Sequence, residues 1–318
     1  MLIVNTDHGF MMGEHDWWAK VMTPFFQEIA HIPAWVYDPR HPEQAGLKCN
    51  ALTQTIDLAP TLMEFFGVPL TKDMQGHPLR QRLIDDTPVR EAAIYGVMGG
   101  QINVTDGRYV YMRAHVTPDN TPLFEYTLMP THMRTLFSPV ELQEWERSDG
   151  FSFTKGCKVM KIPTRTWTPY LDVNDPVGRG KRSTLLFDII DDPGQTKPLE
   201  DPTIEARMIR LMLREMARND CPSEQYQRLG LPEPRRLGPG NGDEMIEMPS
   251  EDAIRAACVL QTEAGRWARS HGGNGDLTLP FGAVLWPGEV PLPGPKFPDN
   301  LRLRPGYAFG PDAGKGPR

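Results

Sequence analysis

Three side chains near the start of the chain, Asp7, His8 and Lys20, could do chemistry together. A carboxylate and an adjacent imidazole can both bind a divalent cation: the carboxylate suits Ca²⁺, Mg²⁺ or Mn²⁺, and the imidazole admits Zn²⁺, Mn²⁺ or iron. Lys20, thirteen residues after Asp7, offers an ammonium group to an anionic oxygen. A metal ion and a lysine can neutralise the charge that grows on the non-bridging oxygens of a phosphate or sulfate ester. The pattern therefore indicates chemistry on a tetrahedral oxyanion.

An Asp-His pair taken alone is more often a solvated turn than a metal site. His15 follows Glu14, and we expect it to fix a turn through that carboxylate rather than to bind metal. Trp17 and Trp18 are better explained as packing residues than as a platform for substrate. The chemical interpretation therefore depends on the elements that would position these side chains.

The first elements predict an α/β sheet. Residues 2–4 are expected to form a short buried strand of a parallel sheet, and the Asp-His pair follows its carboxyl end, where such sheets place ligand sites. A second strand is expected at residues 34–37, between Pro33 and Pro39. Residues 55–66 predict a helix with Asp57 as N-cap and Gly67 as its stop. Strands combined with helices in this order favour the α/β class.

The pattern changes near residue 90. Short strand-like runs occur at residues 92–98, 101–105 and 108–115, and Asp106-Gly107 between the last two is a strong hairpin signal. Residues 117–183 look irregular, a further strand is expected at 185–189, and a helix at 203–219. We therefore predict an α/β catalytic part over 1–89, a smaller α+β subdomain with an antiparallel sheet over 90–231, and a last region over 232–318. That last region would hold a helix at 250–269, N-capped by Ser250, and a Pro/Gly-rich tail that is extended or disordered.

Composition excludes some functions. A net charge of -7 and a pI of about 5.7 argue against nucleic acid as the main partner. The sequence has no apolar run of the roughly 18 residues that a membrane helix requires, and no signal peptide precedes the first strand. The default compartment is the cytoplasm, although a chain that begins inside a strand is expected to lack its start. The four cysteines are scattered and predict no disulfide framework.

The segments at 6–9, 13–15 and 18–20 together resemble the second metal-and-substrate motif of the sulfatases, which belong to the alkaline phosphatase superfamily. The form with His after the Asp is most similar to the iduronate-sulfatase, choline-sulfatase and phosphonate monoester hydrolase branches. Four later segments resemble the family in the correct order, the last of them loosely, with Gln195 where the family has Glu: "HIPAWVYDP", "TIDLAPTLMEFFGVP", "VTDGRYVYMR" and "LLFDIIDDPGQTKPL". The resemblance covers about residues 1–231 and implies part of an alkaline-phosphatase-like sheet with flanking helices, plus the smaller α+β subdomain.

The resemblance also implies roles for individual residues. Asp7 and His8 would be two ligands of a divalent cation, with Ca²⁺ expected first and Mn²⁺, Mg²⁺ or Zn²⁺ as alternatives. Lys20 would contact the sulfate or phosphoryl group of a small-molecule or glycan ester. His15 and His31 would have only supporting roles.

The family nucleophile is absent from this sequence. Sulfatases carry it in C-x-P-x-R or S-x-P-x-R, where the Cys or Ser becomes formylglycine, and neither pattern occurs here. In the family that motif lies upstream of the Asp-His-Gly motif, so we expect it on a missing N-terminal part and expect this chain alone to be inactive. Two alternatives stay open: a phosphonate or phosphate ester hydrolase of the same superfamily, and a non-catalytic remnant that acts by binding.

Other basic residues have two interpretations each. His132, Arg134, Lys155 and Lys158 could line the substrate entrance, but an ordinary loop is favoured. A stripe of arginines at 207, 210, 214 and 218 could dock an anionic partner, but a solvated helix face is favoured. The proline-rich tail could contact a second subunit, so the oligomeric state is left open.

Overall fold

The computed structural model describes residues 1–16, 18–20, 24–117, 120–129, 131–132, 135–164, 183–237 and 246–260. The strands are β1 (Leu2–Asn5), β2 (Met11–Met12), β3 (Trp18–Ala19), β4 (Ala34–Tyr37), β5 (Ala93–Gly96), β6 (Ile102–Thr105), β7 (Tyr109–Arg113), β8 (Phe124–Thr127), β9 (Glu146–Ser148), β10 (Val159–Pro163), β11 (Leu185–Asp188), β12 (Arg235–Arg236) and β13 (Ile246–Glu247). The helices are α1 (Gln27–Ala30), α2 (Leu58–Phe65), α3 (Arg80–Asp85), α4 (Pro202–Arg218), α5 (Ser223–Leu229) and α6 (Glu251–Ala256). The mixed α/β class is confirmed.

A four-stranded antiparallel sheet in the order β11-β7-β6-β5 forms the centre of the described chain. The predicted hairpin joins β6 to β7: Gly107 has a φ of +93°, and the Asp106 carboxylate accepts hydrogen bonds from the backbone N–H groups of Arg108 and Tyr109. A left-handed backbone at this turn is the reason that glycine is suited to it.

Helix α4 covers one face of this sheet. Its N-cap is Asp201, whose carboxylate accepts hydrogen bonds from two backbone N–H groups of the first turn. Its apolar face packs on Val104, Tyr111 and Leu186 to form the larger core. The helix predicted at residues 203–219 is therefore confirmed.

The opposite face of the same sheet carries the N-terminal segment. Met11, Phe26 and Ile29 pack against side chains of β7 and β11, with Val110 and Phe187 among them. Successive residues of a strand point to opposite faces, so Val110 faces this second core while Tyr111 faces α4. The N-terminal segment and the sheet after residue 90 thus share a core.

The first strand differs from the expectation. β1 pairs with β4 in an antiparallel two-stranded ribbon, and every strand pair among the described residues is antiparallel. Leu2 and Val4 are 61% and 49% exposed, and Trp35 on the same face of β4 is 63% exposed. The prediction of a buried strand in a parallel sheet is therefore wrong for the described chain, because this ribbon face has no layer of described residues over it.

Two further segments also differ. Residues 117–183 contain a three-stranded antiparallel sheet in the order β8-β10-β9, which their weak alternation of polar and apolar residues concealed. Helix α6 is capped by Ser250 as predicted but ends at Ala256 instead of Arg269. The predicted Pro/Gly-rich tail lies outside the described residues. No helix in the described ranges is long and apolar enough to cross a membrane.

A buried carboxylate holds residues 257–260 to the core. Glu205 of α4 is fully buried and accepts hydrogen bonds from the Tyr111 hydroxyl (2.9 Å) and from the backbone N–H groups of Val259 (3.0 Å) and Leu260 (3.2 Å). The neighbouring guanidinium of Arg113 donates to the Tyr111 hydroxyl and to three backbone carbonyl oxygens. All of these buried polar groups are satisfied, so the last described segment belongs to the core.

The buried ion pair of Asp57 and Arg90 joins α2 to the start of the central sheet. Both carboxylate oxygens of Asp57 accept hydrogen bonds from the guanidinium at 2.5 Å, and the backbone N–H groups of Gln54 and His77 donate to the same carboxylate. Burial alone would raise the pKa of Asp57, but Arg90 and the two backbone donors outweigh it and hold the pKa below its usual value. The predicted N-cap residue of α2 therefore acts chiefly as a buried counter-ion.

Candidate functional site

The loop after β1 presents an exposed carboxylate. The Asp7 side chain is 86% exposed, and its pKa is held below the usual value by its own backbone N–H, by the imidazole of His8, by the Thr6 hydroxyl and by the ammonium group of Lys20. The carboxylate is therefore ionised and accessible at neutral pH.

The imidazole of His8 has the tautomer that a metal ligand requires. Its Nδ1 lies 2.8 Å from the carbonyl oxygen of Gly9, and because that oxygen can only accept, Nδ1 carries the hydrogen. When the ring is neutral, Nε2 therefore carries the lone pair, and the hydrogen bond from Nδ1 to Gly9 fixes the orientation of the ring as it does for metal-binding histidines.

The two candidate ligand atoms lie close together. His8 Nε2 is 3.6 Å from Asp7 Oδ1. Two atoms that each lie about 2.0–2.5 Å from one cation, at roughly a right angle, are separated by about 3 Å. A small rotation of the exposed carboxylate would therefore let both atoms bind a single ion.

These two residues fit part of a metal site. Within the described ranges no group of three or more His, Cys, Asp and Glu side chains could hold a metal ion. A hard cation such as Ca²⁺ takes six to eight oxygen ligands, so two protein ligands alone would bind it weakly.

Gly9 seats this loop on α1. Its backbone N–H donates to the carbonyl oxygen of Ile29 at 2.9 Å, and a Cβ atom at position 9 would lie 1.7 Å from the carbonyl oxygen of Glu28. Only glycine allows this approach of the loop to the helix backbone. Because Ile29 and Phe26 belong to the core against the central sheet, the loop is fixed to a rigid support.

A residue that sequence reasoning missed as a site residue also contacts α1. Gln195, on the loop after β11, is 2% exposed, and its Oε1 accepts a hydrogen bond from the backbone N–H of Gln27 at 2.7 Å. The one available signal was its departure from Glu in the family pattern.

His15 and His31 lie beside α1. The His15 ring stacks on Phe26 with centroids 3.6 Å apart, and its Nε2 is 3.7 Å from a carboxylate oxygen of Glu28. The Glu14 carboxylate instead accepts from the backbone N–H of Met12 at 2.5 Å, so Glu14 fixes the turn directly. His31 is exposed at the C-cap of α1. The supporting roles of both histidines stay predictions.

The other predicted entrance residues are held by carboxylates. His132 Nε2 is 2.7 Å from Glu141, and its Nδ1 is 3.8 Å from Glu125. Lys155 and Lys158 pair with acidic partners, Asp73 and Asp149 respectively. These contacts favour the ordinary-loop interpretation, and Arg134 lies outside the described residues.

The arginine stripe of α4 is also paired, so the solvated-face interpretation is favoured. Each of its four guanidinium groups lies within ion-pair distance of a carboxylate, and the pairs are Arg207 with Asp106, Arg210 with Glu251, Arg214 with Glu91 and Arg218 with Glu215.

Comparison with known proteins gives several partial matches. The chain is 25% identical over 201 residues to an N-acetylglucosamine-6-O-sulfatase of Bacteroides thetaiotaomicron, which is 59% of this chain and 33% of that protein. It is 26% identical over 93 residues to an arylsulfatase of Clostridium perfringens, covering 29% of this chain and 19% of that one. Arylsulfatase K of Homo sapiens is 28% identical over 79 residues, 25% of this chain and 14% of that protein. No family model matches.

A solved structure of a protein in complex with its substrate, D-glucosamine-2-N,6-O-disulfate, aligns with a TM-score of 0.43 at 16% identity, over 70% of this chain and 35% of that one. The chain thus spans about a third of the length of the first of its curated relatives.

Proposed function

Because this chain is a homologue of the sulfatases, as its motifs predict, we propose that it forms the cation-binding and oxyanion-binding part of a sulfuric ester hydrolase. The observation that carries this proposal is the similarity to an N-acetylglucosamine-6-O-sulfatase over 201 residues. The branch of the family stays a prediction.

Within this proposal, Asp7 and His8 supply two ligands of a divalent cation, Ca²⁺ first and Mn²⁺, Mg²⁺ or Zn²⁺ as alternatives. The tautomer of His8 and the 3.6 Å separation of the two ligand atoms support these roles. Lys20 binds an oxygen of the sulfate group. A bound cation would neutralise charge on the ester oxygens.

No C-x-P-x-R or S-x-P-x-R pattern occurs in this sequence, so we assign no nucleophile to its residues. We expect the substrate to be a small-molecule or glycan sulfate ester. A sulfate ester is favoured over a phosphonate because the relatives that match are named as sulfatases.

Sulfate binding tests this proposal without requiring turnover. We expect millimolar sulfate with Ca²⁺ to shift the amide NMR signals of residues 6–9 and of Lys20, and Lys20→Met to abolish the shift because it removes the ammonium group. Lys72→Met, at an exposed lysine outside the proposed site, is the control and should leave the shift intact. Phenylphosphonate is expected to cause a smaller shift than sulfate.

The same samples test the expected absence of turnover. With p-nitrophenyl sulfate and each of the four metals, release of p-nitrophenol should equal the buffer blank, because a covalent route needs the nucleophile. Turnover above the blank would contradict this part of the proposal. A sulfate-dependent shift that persists in Lys20→Met would contradict the role of the lysine.

A further inference from the structure

We propose that Gln195 is a positioning residue for the Asp7-His8-Gly9 loop and acts through helix α1. The effect of Gln195 on cation binding rests on the proposed function. The contacts that carry the inference are independent of that function.

The first link joins Gln195 to the start of α1. The first backbone N–H groups of a helix have no partner within the helix. One of them, on Gln27, donates to Oε1 of Gln195 at 2.7 Å, across 168 positions of sequence. This side chain therefore fixes the start of α1 relative to the loop after β11.

The second link joins α1 to the imidazole of His8. The residue between them is Gly9, whose N–H donates to the carbonyl oxygen of Ile29 in α1 and whose own carbonyl oxygen accepts from His8 Nδ1. The backbone of Gly9 thus sits on α1 and at the same time orients the ring. Because Gly9 packs directly on the backbone of Glu28 and is hydrogen-bonded to Ile29, we expect a shift of α1 to move the ring with it.

The backbone conformation of Gln195 indicates that the surrounding contacts hold this residue in place. Its φ is +48°, a left-handed conformation that a residue with a Cβ atom rarely adopts and that persists where the surroundings impose it. The Asp192 carboxylate accepts hydrogen bonds from the Thr196 hydroxyl (3.1 Å) and from the backbone N–H of Lys197 (2.7 Å), which hold this loop in place.

The imidazole signals of His8 provide a direct test, because ¹⁵N shifts report the tautomer and surroundings of the ring. We expect Gln195→Ala to move the Nδ1 and Nε2 signals of His8 at pH 8 and to weaken binding of Mn²⁺ about tenfold. Gln195→Glu should leave the His8 signals and the Mn²⁺ affinity at their wild-type values, since it keeps the acceptor oxygen. The Nε2 atom that it replaces has no hydrogen-bond partner among the described residues.

Asp201→Ala is the matched control, because it also removes a side-chain cap from a helix, but on α4. It should lower the thermal midpoint without moving the His8 signals. If Gln195→Ala does not fold, Gln195→Asn, which shortens the side chain by one methylene, takes its place with the same expected direction.

The inference would be overturned if a folded Gln195 variant has a lowered thermal midpoint of unfolding but unchanged His8 signals. Gln195 would then have only a structural role. A wild-type chain that binds no Mn²⁺ would instead contradict the proposed cation site, while the His8 signals would still decide the positioning role.

Discussion

Replacing Arg90 with methionine is expected to lower the free energy of unfolding by about 3 kcal/mol at pH 7, because it leaves a buried carboxylate without its counter-ion. The Asp57 side chain is fully buried, and both its oxygens lie 2.5 Å from the guanidinium. Removing one partner of a buried pair costs about 3–5 kcal/mol. The lower end applies because the backbone donors of Gln54 and His77 remain.

The stability lost in Arg90→Met should depend on pH in a defined direction. The pKa of Asp57 in the folded protein lies below the usual 3.8, so the pair stabilises the fold above that value and its contribution is lost as the pH falls through the lowered pKa. In Arg90→Met, no counter-ion opposes the effect of burial, so the pKa of Asp57 rises. As the pH falls, Asp57 is therefore protonated in the variant before it is protonated in the wild type, and the unpaired buried charge disappears. The difference between wild type and variant should therefore narrow as the pH is lowered from 7 to 4.

Urea unfolding at both pH values measures this difference. Arg80→Met is the matched control, since its ion pair with Glu64 is longer, at 3.7 Å, and its guanidinium is half exposed. Such pairs contribute about 0–1 kcal/mol. An equal loss in the two variants, or a gap that widens on acidification, would contradict the buried ion pair.

Replacing Gly9 with alanine is expected to cost about 3 kcal/mol, the upper end for added volume in a packed site. The new Cβ would lie 1.7 Å from the carbonyl oxygen of Glu28. Because that atom belongs to the backbone of α1, the strain cannot be relieved by turning a side chain. We expect the loop to leave the helix and the His8 ring to lose its orientation.

Urea unfolding together with the His8 imidazole signals checks this prediction. Gly194→Ala is the control, because its Cβ would make only an ordinary contact, 3.6 Å from a methyl group of Thr196. Replacing glycine at an unstrained position changes stability by about 0.4–1 kcal/mol in the stabilising direction. A Gly9→Ala variant as stable as the wild type, with unchanged His8 signals, would show that the loop does not depend on this close approach.

The parts of the fold that local pattern determines could be predicted from the sequence. The 3.6-residue spacing of apolar side chains in α4 and the Asp106-Gly107 turn between β6 and β7 are signals carried by neighbouring residues, and both are confirmed. Strand β4 was also found at its predicted residues. Pairing direction is different, because it depends on which distant segment lies alongside. An apolar run such as that of β1 does not show whether its partner is parallel or what covers its face.

The residue types of the candidate site could be predicted from the sequence, but the contacts that hold its loop in place could not. Asp7, His8 and Lys20 were singled out because a carboxylate, an imidazole and an ammonium group suit an oxyanion site. The contact between Gln195 and α1 joins residues 168 positions apart, and a single sequence carries no signal for such a pair. Gly9 offers a weak signal, since glycine is the residue that permits a close backbone approach.

The most direct test of the central claim is to locate a bound paramagnetic ion. At substoichiometric Mn²⁺, we predict that the amide NMR signals of Asp7, His8 and Lys20 broaden first, and that the double variant Asp7→Asn with His8→Ala abolishes the effect. The pair of His41 and Glu43, whose ring nitrogen and carboxylate oxygen are 3.5 Å apart, is an internal comparison outside the proposed site. Equal broadening around His41 and Glu43, or broadening near residues 7 and 8 that survives the double variant, would contradict a divalent-cation site at this loop.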